Sequence, residues 1–282
     1  MAGVRKTEVI RSRRGVFDLR LSELWAYKDL ILLLVKRDFV AQYKQTILGP
    51  LWFVIQPILT ALMFYVVFGS VAKIPTNNVQ PFLFYFTGIA VWSYFSDCLL
   101  KTASTFSGNA HLFGKVYFPR LVVPIAIVLA GLYKLLLHGI ILIICLTYFV
   151  VQGTQQLLLD ATLLVIPVYI AVLACMGLGI GILCSALTTK YRDLNFLLSF
   201  GVQLLMYGTP IIYPLSFTKG VMHKVISFNP LTSIVENLRY SLYGVGSFDV
   251  QGLVYSAGVA LFLLVLGVLV FNRVEQSFMD TV

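Results

Sequence analysis

Few residues of this sequence have types and spacing that suit chemistry. Asp97, Lys101, Lys134 and His138 are ionisable groups set in or at the ends of long apolar runs, where a charged side chain is costly and marks a functional position by default. Lys134 and His138 are four apart and so share one helical face. They point to a polar translocation path or a subunit contact, or else they lie in a protruding part of an over-long helix, since thirty helical residues measure about 45 Å. Asp97 and Lys101, also four apart, read as an interfacial ion pair. His111, His138 and His223 are scattered and Cys98, Cys145, Cys175 and Cys184 form no CxxC, so no metal site is expected. The run from Gly108 to Val116, GNAHLFGKV, has the outline of a phosphate loop. It fails as one, because five residues separate its glycines and Val116 follows Lys115 where a Walker A sequence has Ser or Thr. The sequence therefore offers no catalytic residue, no nucleotide site and no cofactor of its own. Asp97 is the one acid within an apolar run, which disfavours coupling to an ion gradient. An energy source on another chain is the reading left.

These residues need elements to hold them, and composition says which. Of 282 residues, 59% are hydrophobic and 12% charged, against roughly 25% charged in soluble domains, and mean hydropathy is +0.89. A soluble core of this size cannot hide so much apolar surface. Five runs lack Asp, Glu, Lys and Arg altogether, namely Gln45–Ala72, Ile74–Ser96, Ala161–Thr189, Leu194–Thr218 and Val250–Asn272, and a sixth, Leu121–Leu159, is interrupted only by Lys134. The fold class read from this is an all-α polytopic membrane protein with six transmembrane helices near 51–72, 81–103, 121–150, 162–187, 194–213 and 252–272. Strands lack support, since no alternating ten-residue pattern recurs.

Six spans put both termini on one side. Sixteen Lys and Arg then fall in the segments on that side, four in the opposite ones and Lys134 within a span, so both ends are expected in the cytoplasm. The net charge of +9 reports topology first. The basic stretch Arg5, Lys6, Arg11, Arg13 and Arg14 is nearer to anionic lipid than to nucleic acid, and no leader is expected there because residues 1–20 contain no apolar core.

Residues 1–50 form a cytoplasmic N-terminus. Within it, 22–47 predicts an amphipathic interface helix with Leu24, Ile31, Val35, Phe39 and Tyr43 on one side and Lys28, Lys36, Arg37, Asp38 and Lys44 on the other. Residues 51–282 form the transmembrane domain. Between spans five and six, Tyr207, Pro210, Tyr213 and Pro214 surround a break in the helix, and Leu231, Ile234, Val235, Leu238 and Leu242 make an apolar stripe opposite Thr232, Glu236 and Arg239. External re-entrant or surface helices, with a gate at the four residues of the break, are expected there. Aromatic residues make up 14% of the chain; most suit interface belts. Trp52, Phe86, Trp92, Tyr94, Phe95 and Tyr133 are the candidates for lining a conduit, because flat rings pack on the C–H faces of sugars. Gly177 and Gly181 stand in a GxxxG spacing, which close helix packing explains.

The order of these parts resembles a known family. The run from Arg37 to Trp52, RDFVAQYKQTILGPLW, followed by Gln56-Pro57, resembles the entry to the first span of ABC-2-type polysaccharide export permeases. The loop Asn109–Arg120, Lys190-Tyr191-Arg192-Asp193 after the fourth span and Asn229-Pro230 outside are similar to further parts of that family. The resemblance implies a half-transporter: two copies of this chain with two copies of a nucleotide-binding ABC ATPase, on which ATP and Mg are bound and hydrolysed. It implies ATPase coupling through Asn109, His111, Leu112, Phe113, Lys115, Phe118 and Arg120, with Arg37 and Asp38 beside them. It also implies a cargo of undecaprenyl-diphosphate-linked glycan, such as O-antigen, teichoic acid or capsule, exported across the bacterial inner membrane. The alternatives are an ABC-2 permease for a drug, lipid or antibiotic, or an ATP-independent channel or secondary transporter.

Overall fold

The computed structural model describes residues 21–44, 46–106, 108–109, 118–158, 160–191 and 193–278. Ten α-helices carry them, and among the described residues there is no strand. Five helical stretches are long and apolar enough to cross a membrane: Gly49–Val71, Pro81–Ala103, Val122–Val151, Ala161–Thr188 and Val250–Arg273. They match five of the six expected spans. Where a sixth was expected over 194–213, the helix covers only Leu194–Tyr207, about 21 Å at 1.5 Å per residue. Gly208, Pro210 and Pro214 stop it there, because each proline lacks the N–H that a continuing helix needs.

The N-terminal elements are α1 (Leu21–Ala26) and α2 (Lys28–Tyr43). A third helix, α3 (Trp52–Phe64), follows and contains Pro57, so the carbonyl of Phe53 one turn earlier has no amide to receive. A π-helical turn over Tyr65–Val71 prolongs it. The axis of the bundle is α4 (Pro81–Ala103), most of whose residues are buried. It opens on Pro81, where a missing N–H is harmless.

Beside α4 run α5 (Val122–Val151) and α6 (Ile166–Lys190). The glycines of Gly177-Leu178-Gly179-Ile180-Gly181 serve two neighbours. A Cβ on Gly177 would stand 2.8 Å from the Cβ of Cys98, and one on Gly181 would stand 2.8 Å from the carbonyl oxygen of Leu99, both on α4. Gly179 turns the other way, where a Cβ would meet the Leu264 amide nitrogen at 2.6 Å on α10 (Val250–Phe278). Gly267 of α10 returns the contact, since its Cβ would lie 2.7 Å from the Gly179 carbonyl oxygen. Close packing was the expected role of the GxxxG spacing; the third glycine extends it to a second helix.

The N-terminal helix docks on α5. Leu34 and Val35 are buried against Phe118, Val122, Val123, Ala126 and Ala130, with Leu24, Tyr27, Leu30 and Ile31 at the rim. The expected single helix is broken at Tyr27, and its outer face is not purely polar. Trp25, Leu32 and Leu33 are exposed there next to Lys28 and Lys36.

The described chain closes with α7 (Leu194–Tyr207), α8 (Gly220–Phe228), α9 (Pro230–Tyr243) and α10. Asn229 caps α9 by accepting from the Leu231 amide at 3.0 Å, and its side-chain amide donates to the Gly208 carbonyl and the Thr209 hydroxyl, both at 2.9 Å. Gly244 ends α9 at φ 68°, in the left-handed region that glycine adopts without strain. A helical pair was expected in this stretch, but its polar face differs from expectation: Thr232 and Arg239 are as buried as the Leu231, Ile234 and Val235 stripe.

Candidate functional site

At the end of the bundle where α2 lies, three ionisable groups converge. Lys134 of α5 donates to Asp97 Oδ2 of α4 at 3.0 Å, and the Lys101 ammonium stands 3.7 Å from the same oxygen. The expected Asp97–Lys101 pair is present, but Lys134 is the nearer partner. Sequence spacing sees only neighbours on one helix, so it could not supply a pair made between α4 and α5. Nor does Lys134 share an open path with His138. The imidazole is 1% exposed, lies against the Phe86 ring with centroids 6.1 Å apart, faces the backbone of Phe53, and makes no hydrogen bond of good geometry among the described residues. It packs between the Phe86 ring and the Phe53 backbone, one turn before Pro57.

Arg37 and Asp38 pair with each other on α2 at 2.7 Å. The next residue, Phe39, stacks on Phe53 of α3 with centroids 6.1 Å apart and on Tyr133 of α5 at 5.1 Å. Three elements meet in this aromatic knot. Asn109 donates to the Thr105 carbonyl at 3.1 Å. His111, Leu112, Phe113 and Lys115 lie outside the described residues. Of the residues that the resemblance places in ATPase coupling, Phe118 is 7% exposed within the α2–α5 contact and Arg120 is 4% exposed with its guanidinium over the Phe106 ring. They anchor the loop's end to the bundle.

The conduit candidates divide by exposure. Phe86, Tyr94 and Phe95 are buried within this one chain and cannot line a conduit in this conformation. Tyr94 packs over Gly131, and Phe95 and Phe86 belong to the two main core clusters. Their aromatic character reflects core filling on a helix surrounded by protein. Trp52 and Tyr133 are exposed, and Trp92 is half-buried against Phe95.

On the opposite end, Tyr207 is exposed while Pro210, Tyr213 and Pro214 are buried, so three of the four expected gate residues face protein. The Tyr213 hydroxyl donates to the Tyr207 carbonyl at 2.7 Å. The group that organises the break is Arg239, which the sequence places on the polar side of the stripe. It donates to the carbonyls of Pro210 at 2.6 Å and Ile211 at 2.9 Å, lies 3.3 Å from Glu236, and covers the Phe84 ring at 3.6 Å. Burial pushes its guanidinium down to about 10 while Glu236 pulls the other way, so it stays charged at neutral pH. A lone Arg three residues after a Glu, amid an apolar stripe, was the available signal. Backbone carbonyls freed by a Gly-Thr-Pro break need a donor of this kind.

The chain was compared with known proteins. A family model described as ABC-2 type transporter matches residues 29–243. An O-antigen export system permease protein RfbA of Klebsiella pneumoniae is 28% identical over 254 residues, covering 89% of this chain and 94% of that protein. A protein of the same description from Myxococcus xanthus is 26% identical over 263 residues, covering 92% and 98%.

Proposed function

We propose, from the premise that this chain belongs to the ABC-2 type transporter family, that it is the transmembrane subunit of an ATP-driven exporter for a lipid-linked polysaccharide. The observation that carries the reading is similarity to O-antigen export permeases along nearly the whole chain, 89–92% of it, on a frame that holds no nucleotide motif. In this reading α7 and the broken segment 208–214 complete a sixth crossing, both termini lie in the cytoplasm, and residues 51–282 form one transmembrane domain behind the cytoplasmic 1–50. The outward face of α2, with Trp25, Leu32 and Leu33 beside Lys28 and Lys36, suits the boundary between headgroups and water.

Two copies of the chain would work with two ATPase subunits that bind ATP and Mg. The loop 109–117 would receive the ATPase motion, and its anchored end, Phe118 and Arg120, would pass it to α5. From there the Phe39–Phe53–Tyr133 knot reaches α2 and α3 at once. Trp52 and Tyr133, exposed in a single copy, are the aromatic residues placed to meet glycan between copies.

The test is purification of the native complex followed by ATPase measurement. A Walker-A-bearing subunit should co-purify, and polyprenyl-diphosphate-linked glycan should raise its ATPase rate. Absence of both results would remove the reading.

A further inference from the structure

The Lys101–Asp97–Lys134 cluster holds two ammoniums on one carboxylate oxygen. Its charges do not cancel, and one cation is in surplus. Asp97 lies six residues before the end of α4, and Lys134 twelve residues into α5. At 1.5 Å per residue that is roughly 9 and 18 Å of helix axis from the α2 end. Helical side chains lean toward the N-terminus of their own helix, so Lys134 reaches back toward that end, where Asp97 receives it. Both groups keep part of their surface open, 22% of the Lys134 side chain and 29% of Asp97, and Lys101 keeps 43%. A partly open, net-positive cluster set inward from a helix end is poorly suited to hydrocarbon. It is well suited to an anion arriving from the basic end.

The spacing fits one anion class. The two ammoniums share Oδ2 at 3.0 and 3.7 Å, so they stand no more than 6.7 Å apart. Two ammoniums donating at about 2.8 Å to different oxygens of one phosphate stand roughly 5–8 Å apart. Half-buried Ser93, four residues before Asp97, and Ser104, three after Lys101 at the end of α4, lie on the same helical side, while Phe95 and Leu99 pack into the core on the other.

We propose that Lys101 and Lys134, both drawn to the one Asp97 oxygen, form a binding site for the phosphate of a lipid anchor. In this assignment Asp97 is the competitor that the phosphate displaces. A diphosphate carries more charge than one carboxylate and takes Lys101 first, since its ammonium is the more open and lies farther from Asp97. The carboxylate then recovers Lys134 when the lipid leaves, so the site releases what it binds. As a site for the lipid part of the cargo, the proposal rests on the exporter reading above; as a site for lipid phosphate in general, it does not.

The experiment is native mass spectrometry of the full chain in mild detergent, titrated separately with undecaprenyl diphosphate and with phosphatidylglycerol. Lys101→Gln leaves the 3.0 Å Asp97–Lys134 bond in place, so its thermal stability should equal that of the parent chain. Its lipid affinity should fall at least tenfold. Asp97→Asn, which removes the competitor, should bind at least threefold more tightly. Loss confined to undecaprenyl diphosphate assigns the site to the cargo anchor. Loss with both lipids assigns it to headgroup phosphate in general. If the parent chain binds phosphatidylglycerol through Lys101 and does not bind undecaprenyl diphosphate, the site stands and the proposed cargo falls. If the parent binds neither lipid, or if Lys101→Gln binds both within twofold of it, the proposal is overturned and the cluster is a structural ion pair.

Discussion

Replacement of Arg239 probes the break at 208–214 most directly. Arg239→Met keeps the side-chain volume and removes the fork that holds the Pro210 and Ile211 carbonyls at 2.6 and 2.9 Å. Hydrogen bonds to a charged group contribute about 1.5–3 kcal/mol each, so two amount to about 3–6 kcal/mol. Relief from burying a guanidinium, 3% exposed here, offsets about 1–2 kcal/mol of that loss. The expected net destabilisation is about 2–4 kcal/mol. Arg239→Lys keeps the charge and one carbonyl contact but loses the fork and the stacking on Phe84, about half the effect. Glu236→Gln should cost under about 1 kcal/mol, because the carboxylate is 21% exposed and only 3.3 Å from the fork. Equilibrium unfolding in mixed SDS and mild detergent, followed by tryptophan fluorescence, would rank the three. The reasoning is refuted if Arg239→Met lies within about 0.5 kcal/mol of the parent chain, or if Glu236→Gln is the most damaging.

Gly179→Ala should destabilise the α6–α10 contact by about 1–3 kcal/mol, since its Cβ would meet the Leu264 amide nitrogen at 2.6 Å; Gly201→Ala, with nothing within 4 Å, should be neutral or slightly stabilising in the same melt. His138→Phe should fold as well as the parent or gain about 1 kcal/mol, because it replaces a buried ring whose nitrogens lack partners, and a large loss of export in that variant would restore His138 to a transport role. Tyr94→Ala should lower stability by about 3 kcal/mol or more through a core cavity. Trp52→Ala, at an exposed position, should leave the melt within about 1 kcal/mol while reducing export of surface glycan; unchanged export would return Trp52 to lipid.

Charge-free length is a one-dimensional property, so the sequence made five spans legible to within a few residues. The helix over 194–207 came out shorter than its apolar run because hydropathy counts Gly208, Pro210 and Pro214 as apolar while backbone geometry treats them as a stop. The site was less legible. Periodicity tells which residues share a face but not what that face meets, so the Asp97–Lys101 spacing was readable and the closer Lys134 contact was not. For the same reason aromatic residues of α4 read as conduit lining when α4 is the most enclosed helix. The role of Arg239 is not legible in the sequence, because a basic residue between apolar runs is ordinarily solvated and the carbonyls it serves lie nearly thirty residues earlier.

The glycine contacts divide the molecule mechanically. At Gly179 and Gly267 the backbones of α6 and α10 come together with no side chain between them, and at Gly177 and Gly181 the α6 backbone meets the Cβ atoms of Cys98 and Thr102 on α4. Contacts this close leave no room for even a methyl group, so α4, α6 and α10 pack as one tight unit. The other parts are held by rings and fewer contacts: α2 through the Phe39 knot, α3 with Pro57 inside it and a π-helical turn after it, and the lightly packed α7. The α2 end is thus joined to the bundle through aromatic rings, while α4, α6 and α10 are joined through glycine.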